Sequence, residues 1–236
     1  MTILEIVSEP EPCAYLPDRT CVHRNRLVAR LPAETYERLL EEGWRKFGPV
    51  VYRPECPECD ACRPLRIPVD RFRPSRSQRR CLRANADLRV VFEKPIIDAE
   101  RLALHNAYHR ARERERGWPE TERTEEEYER GFLLNPVPAI EVSAWLDERL
   151  LGIALLDVTP AIVSGVYHYH DSDRNERGLG TFLMLQAIAY AAGSGRPWAH
   201  FGYHVADCRS LAYKTNFQPC ELLDSDGVWR PLEQRP

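Results

Sequence analysis

The sequence predicts an α/β chain of the α+β kind, with a larger domain built on a mixed sheet over residues 96–236 and a smaller cysteine-containing N-terminal domain over residues 1–95. Three observations carry this. Strand-like runs follow one another at 139–146, 150–158 and 162–169, parted by Asp147-Glu148 and Thr159-Pro160. A loop holding Gly178 and Gly180 then leads into an apolar helix, Phe182 to Ala192. The first third instead is punctuated by proline and carries the run Cys56-x-x-Cys59-x-x-Cys62.

The elements read in order. Residues 1–31 are mixed. Pro32 opens a helix-like segment in which Tyr36, Leu39, Leu40, Trp44 and Phe47 recur at steps of three and four, and Gly48 stops it. Val50 to Tyr52 reads as a strand entering the cysteine loop, and Leu65 to Val69 as one leaving it. Ser75 to Arg83 reads as a helix and Leu88 to Phe92 as a strand. Asp98 is a good N-cap for a helix to about Arg116, with Leu102, Ala103, Tyr108 and Ala111 on one side. Thr124 and Glu127 form a capping box for another, and Asn135-Pro136-Val137-Pro138 breaks the pattern. After the three strands and the apolar helix come a strand at Pro197–Tyr203, a short helix at Cys208–Asn216 and a closing strand from Phe217.

Composition narrows the function. The chain has 236 residues, 43% of them hydrophobic and 29% charged, enough for a real core. A net charge of −3 excludes the global basic field of many nucleic-acid binders. The sign is segregated instead. Arg63, Arg66, Arg71, Arg73, Arg76, Arg79, Arg80 and Arg83 are joined by Asp70 as the only acid, while Glu120 to Glu129 holds six glutamates and one arginine. Met1 to Pro12 lacks the features of a signal peptide, and no apolar stretch approaches the roughly 20 residues of a membrane span. A cytoplasmic location with reduced thiols is expected.

The chemistry-bearing patterns follow. Thiolates spaced as in Cys56, Cys59 and Cys62 converge on a zinc or iron centre, with Cys13 or Cys81 as a fourth ligand; the alternative is a small packed core. Cys208 and Cys220 read as core residues. Pro64, Pro68 and Pro74 fix the arginines on a structured path, so their forks are expected to meet an anion, either RNA or an acidic peptide. Gly178 and Gly180 let a phosphate approach a helix N-terminus, with Arg174 and Arg177 adding charge. The acyl-CoA N-acyltransferase fold uses a similar loop after antiparallel strands, and Tyr213 to Phe217 looks like its late Tyr-x-x-x-Phe segment. His168 and His170 share a strand face; with His105 and His109 they read as structural histidines.

Four segments carry a resemblance. They are Cys13-Ala14-Tyr15-Leu16-Pro17-Asp18-Arg19, Tyr52-Arg53-Pro54-x-Cys56-x-x-Cys59-x-Ala61-Cys62, Phe72-Arg73-Pro74-Ser75-Arg76-Ser77-Gln78-Arg79-Arg80 and Gly202-Tyr203…Cys208-Arg209…Ala212-Tyr213-Lys214. With these the chain resembles the aminoacyl-tRNA–protein transferases of the N-degron pathway, most of all the bacterial branch that moves leucine to N-terminal Asp or Glu. The resemblance implies charged tRNA and Asp- or Glu-starting proteins as partners and no membrane. By analogy with the acyltransferases, Tyr213 and with it Tyr203 are expected to be catalytic. The resemblance implies substrate-binding roles for Arg66, Arg76, Arg79, Arg80, Arg174, Arg177, Gly178, Gly180 and Lys214, with Arg66, Arg76 and Arg80 clamping the acidic residue. Eukaryotic relatives carry a second cysteine three positions after the first, where Leu16 stands here, so no cofactor is expected; Cys13, Cys56, Cys59 and Cys62 stay as metal candidates. Three alternatives remain open. They are arginine as the donor, an acetyl-CoA acetyltransferase on the same loop, and a non-enzymatic RNA-binding or metal-sensing module.

Overall fold

The computed structural model describes residues 2–117 and 122–232, so Glu120, in the acidic stretch, lies outside it. In chain order the elements are β1 (Thr2–Val7), β2 (Glu11–Pro12), β3 (Thr20–Cys21), β4 (His23–Val28), α1 (Ala33–Glu41), β5 (Arg45–Phe47), β6 (Val50–Pro54), β7 (Arg63–Pro68), α2 (Arg76–Ala84) and β8 (Arg89–Glu93). They continue with α3 (Ala99–Arg116), α4 (Glu125–Tyr128) running into a π turn at Glu129–Leu133, β9 (Ala139–Leu146), β10 (Arg149–Val158) and β11 (Ile162–His170). A 3-10 turn at Ser172–Arg177 precedes α5 (Leu179–Gly193), β12 (Trp198–His204), α6 (Arg209–Ala212), β13 (Glu221–Leu223) and β14 (Trp229–Pro231).

Eight strands form one sheet in the order β14-β13-β7-β12-β11-β10-β9-β8. Only β11 and β12 run parallel, and α5 makes the crossover between them. The sheet is therefore mixed, as the sequence predicts. A four-stranded antiparallel sheet, β1-β4-β6-β5, stands beside it. Within residues 1–95, β7 lies between β12 and β13 in the large sheet and β8 forms its edge, so this stretch contributes to both sheets.

Local chemistry explains the elements. α5 is apolar all round, and Leu179, Phe182, Leu183, Leu185 and Ile188 are buried against the sheet. Ser75 caps α2 with a box closed by Gln78, and the Thr124–Glu127 box caps α4 as read from sequence. Two expectations are corrected. The helix opened by Pro32 ends at Glu41, the chain turns at Gly43, and Arg45 to Phe47 pair as a strand with β6. The α3 helix buries a polar face of Arg101, His105, Asn106, His109 and Arg112, while Ala103 is exposed. Its partners explain this: Arg101 pairs with buried Glu141, and His109 Nε2 meets the Tyr167 hydroxyl at 2.8 Å.

A buried polar knot ties the N-terminal segment to the large sheet. Lys46 Nζ lies 3.2 Å from the Asp157 carboxylate, with the side chains 1% and 0% exposed. Asp157 also accepts from Tyr36 at 3.0 Å and Asn135 at 3.0 Å. Removing one member strands the others, so Asp157→Ala should cost about 3–5 kcal/mol of stability. Urea unfolding checks this, and a loss below about 1 kcal/mol would mean the knot is dispensable.

Candidate active site

β11 and β12 pair only from Ile162↔Trp198 to Ser164↔His200. Beyond that β11 stays with β10 and β12 follows β7. The gap opens a cavity of about 650 Å³. Gly165 and Tyr167 line one side and Phe201 and Tyr203 the other, with the start of α5 at its rim. Gly178 stands just before α5 at φ 63, a conformation that suits glycine and turns the chain into the helix. No side chain caps α5, so its first N–H groups and positive dipole end face the site. Gly180 packs so that a Cβ would come within 3.4 Å of the Nε2 atoms of both His168 and His170. The two rings stack at 6.5 Å on one face of β11, as the alternation predicts.

The structure brings Gly178, Gly180, Tyr203, Tyr213 and Lys214 to this one cavity. The Tyr213 hydroxyl bonds to no described residue, and burial pushes its pKa up to about 12. Tyr203 instead donates to the Gly43 carbonyl at 2.9 Å. Lys214 Nζ donates to the Tyr203 carbonyl at 2.9 Å. Burial, then the nearby Arg45 guanidinium, pull Lys214 down to about 7. Burial also lowers His168 to about 3 and His170 to about 4, so both rings are neutral near pH 7.

The arginine run lies outside the cavity and is divided. Arg66 is committed to Glu41 at 2.6 Å and Glu221 at 2.8 Å, and its guanidinium sits 3.8 Å and 4.3 Å from the Trp198 and Trp229 rings. Arg76, Arg79, Arg80 and Arg83 are exposed along α2, with no ion pair among the described residues. Arg177 pairs with Asp87 at 2.9 Å and so pins the end of α2 to the loop before α5, while Arg174 is half-buried in that loop.

The cavity also holds cations that sequence reading passes over. Arg45, Lys46, Arg112, Arg116 and Arg209 join Lys214 in its lining, while Leu156, Leu183, Met184 and Phe201 give it an apolar wall. No Asp or Glu among the described residues lines it. Arg209 stands inside a recognisable segment. Arg45 is hidden at what reads as a helix tail, and Arg112 and Arg116 at the end of a charged helix.

A second cavity, of about 460 Å³, gathers Cys13, Cys56, Cys59 and Cys62 with Cys21, which sequence spacing does not flag. Burial and the neighbouring thiols push Cys21 and Cys62 up to about 12. Glu11, Cys21 and His23 place ligand atoms within 4.8 Å of one another. Cys81 is remote, its thiol facing the Arg177 and Gly178 carbonyls at 3.6 and 3.4 Å, which removes it as a fourth ligand. Tyr15 and Tyr203 line both cavities.

Sequence profiles described as "Arginine-tRNA-protein transferase, N terminus" and "C terminus" match residues 11–80 and 100–224. The chain belongs to this family. It is 39% identical over 225 residues to the aspartate/glutamate leucyltransferase of Halorhodospira halophila, covering 94% of each chain. It is 37% identical over 210 residues to that of Aeromonas hydrophila, covering 87% of this chain and 85% of the relative. The solved structure of FemX matches with a TM-score of 0.53 at 11% identity, over 86% of this chain and 69% of that one, a likeness of fold. The mixed α/β fold read from the order of elements is the fold observed. No helix among the described residues is long and apolar enough to cross a membrane.

The neutral histidines give this family member a pH signature. Below the ordinary value of 6.5 the unfolded chain takes up protons that folded His168 and His170 refuse until about pH 3 and 4, so stability falls as pH drops from 6.5 toward 4. The urea midpoint should fall between about pH 7.5 and about pH 5, and fall less in His168→Gln and His170→Gln. Identical pH dependence in all three proteins would show that the fold does not hold these rings neutral.

Proposed function

We propose that this protein transfers leucine from leucyl-tRNA to the N-terminal Asp or Glu of acceptor proteins, marking them for degradation. The observation that carries the reading is the cavity lining, cationic with an apolar wall and free of acids among the described residues. Cations suit an acidic acceptor and the phosphates of a tRNA end. The apolar wall suits a leucyl side chain, whereas an arginyl side chain would find no carboxylate there. The profile description names arginine, so arginine as donor is the second reading.

The reaction joins the neutral α-amine of the acceptor to the ester carbonyl of the aminoacyl-tRNA. A C–N bond forms, the C–O bond to the ribose breaks, and the ribose oxygen takes a proton. An ester is already activated, so holding the two reactants together provides most of what is needed. Tyr213 is the proton donor in this scheme, since its hydroxyl is protonated near neutral pH and has no other described partner. The proton released by the amine restores it through solvent. Tyr203 positions the wall through its bond to Gly43. The start of α5 at Gly178 and Gly180, with Arg174 and Arg177 beside it, faces the terminal phosphates. The exposed α2 arginines take the tRNA backbone further out. The Cys13, Cys21, Cys56, Cys59 and Cys62 thiols suit a soft ion such as zinc, which would tie the N-terminal segment to the cysteine loop, outside the transfer step. The reading places the protein in the cytoplasm, with charged tRNA.

Two measurements test this. Purified protein with an Asp-starting peptide should accept labelled leucine from leucyl-tRNA and ignore a Lys-starting peptide. Arginine transfer without leucine transfer would change the donor, and acetyl-CoA-dependent acylation with no tRNA dependence would replace the reading by an acetyltransferase. In the second, tRNA affinity should fall with salt, and each of Arg76→Ala, Arg79→Ala and Arg80→Ala should reduce the slope of log affinity against log salt by about 1. Unchanged slopes would take α2 out of the tRNA surface.

A further inference from the structure

Among the described residues, most buried or half-buried cations are matched by acids, and two are not. Lys46 has Asp157, Arg101 has Glu141, Arg66 has Glu41 and Glu221, and Arg112 has Glu115. Arg45 has none. It is 5% exposed, and its one hydrogen bond among the described residues runs from Nη2 to the Gly165 carbonyl at 2.9 Å. Lys214 has no acid partner either, only the Tyr203 carbonyl. Both heads converge on Gly202, where a Cβ would lie 3.5 Å from Lys214 Nζ and 3.9 Å from both Nε and Nη2 of Arg45. Gly202 itself is at φ 71, where the register of β12 against β7 shifts, so the backbone is bent to leave this space open. Two buried cations facing one space without an acid are unfavourable for the folded protein alone. The arrangement makes sense when a ligand brings the missing negative charge.

We propose that Arg45 and Lys214 form the site that reads the acidic side chain of the acceptor's N-terminal residue, a proposal that rests on the transfer reaction above. A carboxylate matches the Nε–Nη2 edge of a guanidinium, which can donate to both of its oxygens. Lys214 then adds a point charge from the other side. The pair replaces the Arg66, Arg76 and Arg80 clamp, of which Arg66 is neutralised by Glu41 and Glu221 and none lines the cavity. It also accounts for rejection of basic N-termini, since a Lys or Arg side chain would meet two like charges in a water-poor space. Burial and Arg45 disfavour the Lys214 ammonium in the free protein, and a bound carboxylate would raise its pKa again. Its titratable and charged neighbours are Arg45, Cys62, Cys208, His168 and His204.

The test uses the full chain, leucyl-tRNA and peptides that differ only in starting with Asp or Asn. Arg45→Gln and Lys214→Met should each raise KM for the Asp peptide roughly tenfold to a hundredfold, erasing the preference for Asp over Asn while leucyl-tRNA affinity stays the same. Arg45→Lys, which keeps the charge and loses the fork, carries the same test with a smaller effect should Arg45→Gln fail to fold. Calorimetry in two buffers near pH 8 supplies a readout apart from transfer. Binding of the Asp peptide should take up a proton on Lys214, which is neutral there in the free protein, and Lys214→Met should abolish the uptake. Intact Asp-over-Asn preference in the variants would overturn the proposal while leaving the transferase reading in place. So would loss of leucyl-tRNA affinity with that preference intact, which would assign the pair to a tRNA phosphate. Absence of leucine transfer in the wild type would count against the reaction, and the calorimetry would still decide whether the pair binds the acidic residue.

Discussion

The site depends on a short parallel contact. β11 and β12 pair over Ile162–Ser164 and Trp198–His200 and then part. Each strand is held by its other neighbour, β10 on one side and β7 on the other, so the sheet stays whole while its middle opens. Just past the pairing with β12, Arg45 donates to the Gly165 carbonyl. The packing of α5 across both strands keeps the opening from closing, because its buried leucines fill the sheet face behind it.

Electrostatic order follows from where that opening lies. Elsewhere among the described residues the fold offsets its buried cations with acids, as low-dielectric burial requires. Inside the opening Arg45 and Lys214 depart from this, facing a cavity in place of a carboxylate. Such a surplus is tolerable because Lys214 can give up its proton. The exposed arginines of α2 need no such offset. They are solvated, and their charge is screened over about 8 Å at physiological salt.

The N-terminal segment completes the site more than it flanks it. β5 delivers Arg45, Lys46 and Phe47 to the cavity from the small sheet. Tyr15 and Tyr203 form a common wall between the cavity and the thiol cluster. The Lys46–Asp157 knot joins the two sheets through side chains that water cannot reach. A change in the thiol cluster would therefore reach the cavity through two tyrosines.

By itself the sequence determined the elements whose signals are local. Period-two runs marked β9 to β11, the apolar helix α5 marked the crossover, and the Thr124 box marked a helix start, because hydrogen bonding and side-chain period act within a few residues. The local loop pattern singled out Gly178 and Gly180 and the resemblance singled out Tyr213 and Lys214, and all four line the cavity. Tertiary structure decided what depends on partners far along the chain. Eight arginines in one run looked alike, yet Arg66 is neutralised by acids 25 and 155 positions away while Arg76, Arg79 and Arg80 face solvent. The polar face of α3 is buried because Glu141 and Tyr167 wait for it on distant strands. Arg45 read as the tail of a helix. It became a cavity residue only because the chain turns at Gly43 and a strand pair 120 positions later comes apart in front of it. Burial and charge pairing are properties of the assembled fold, and no local pattern encodes them.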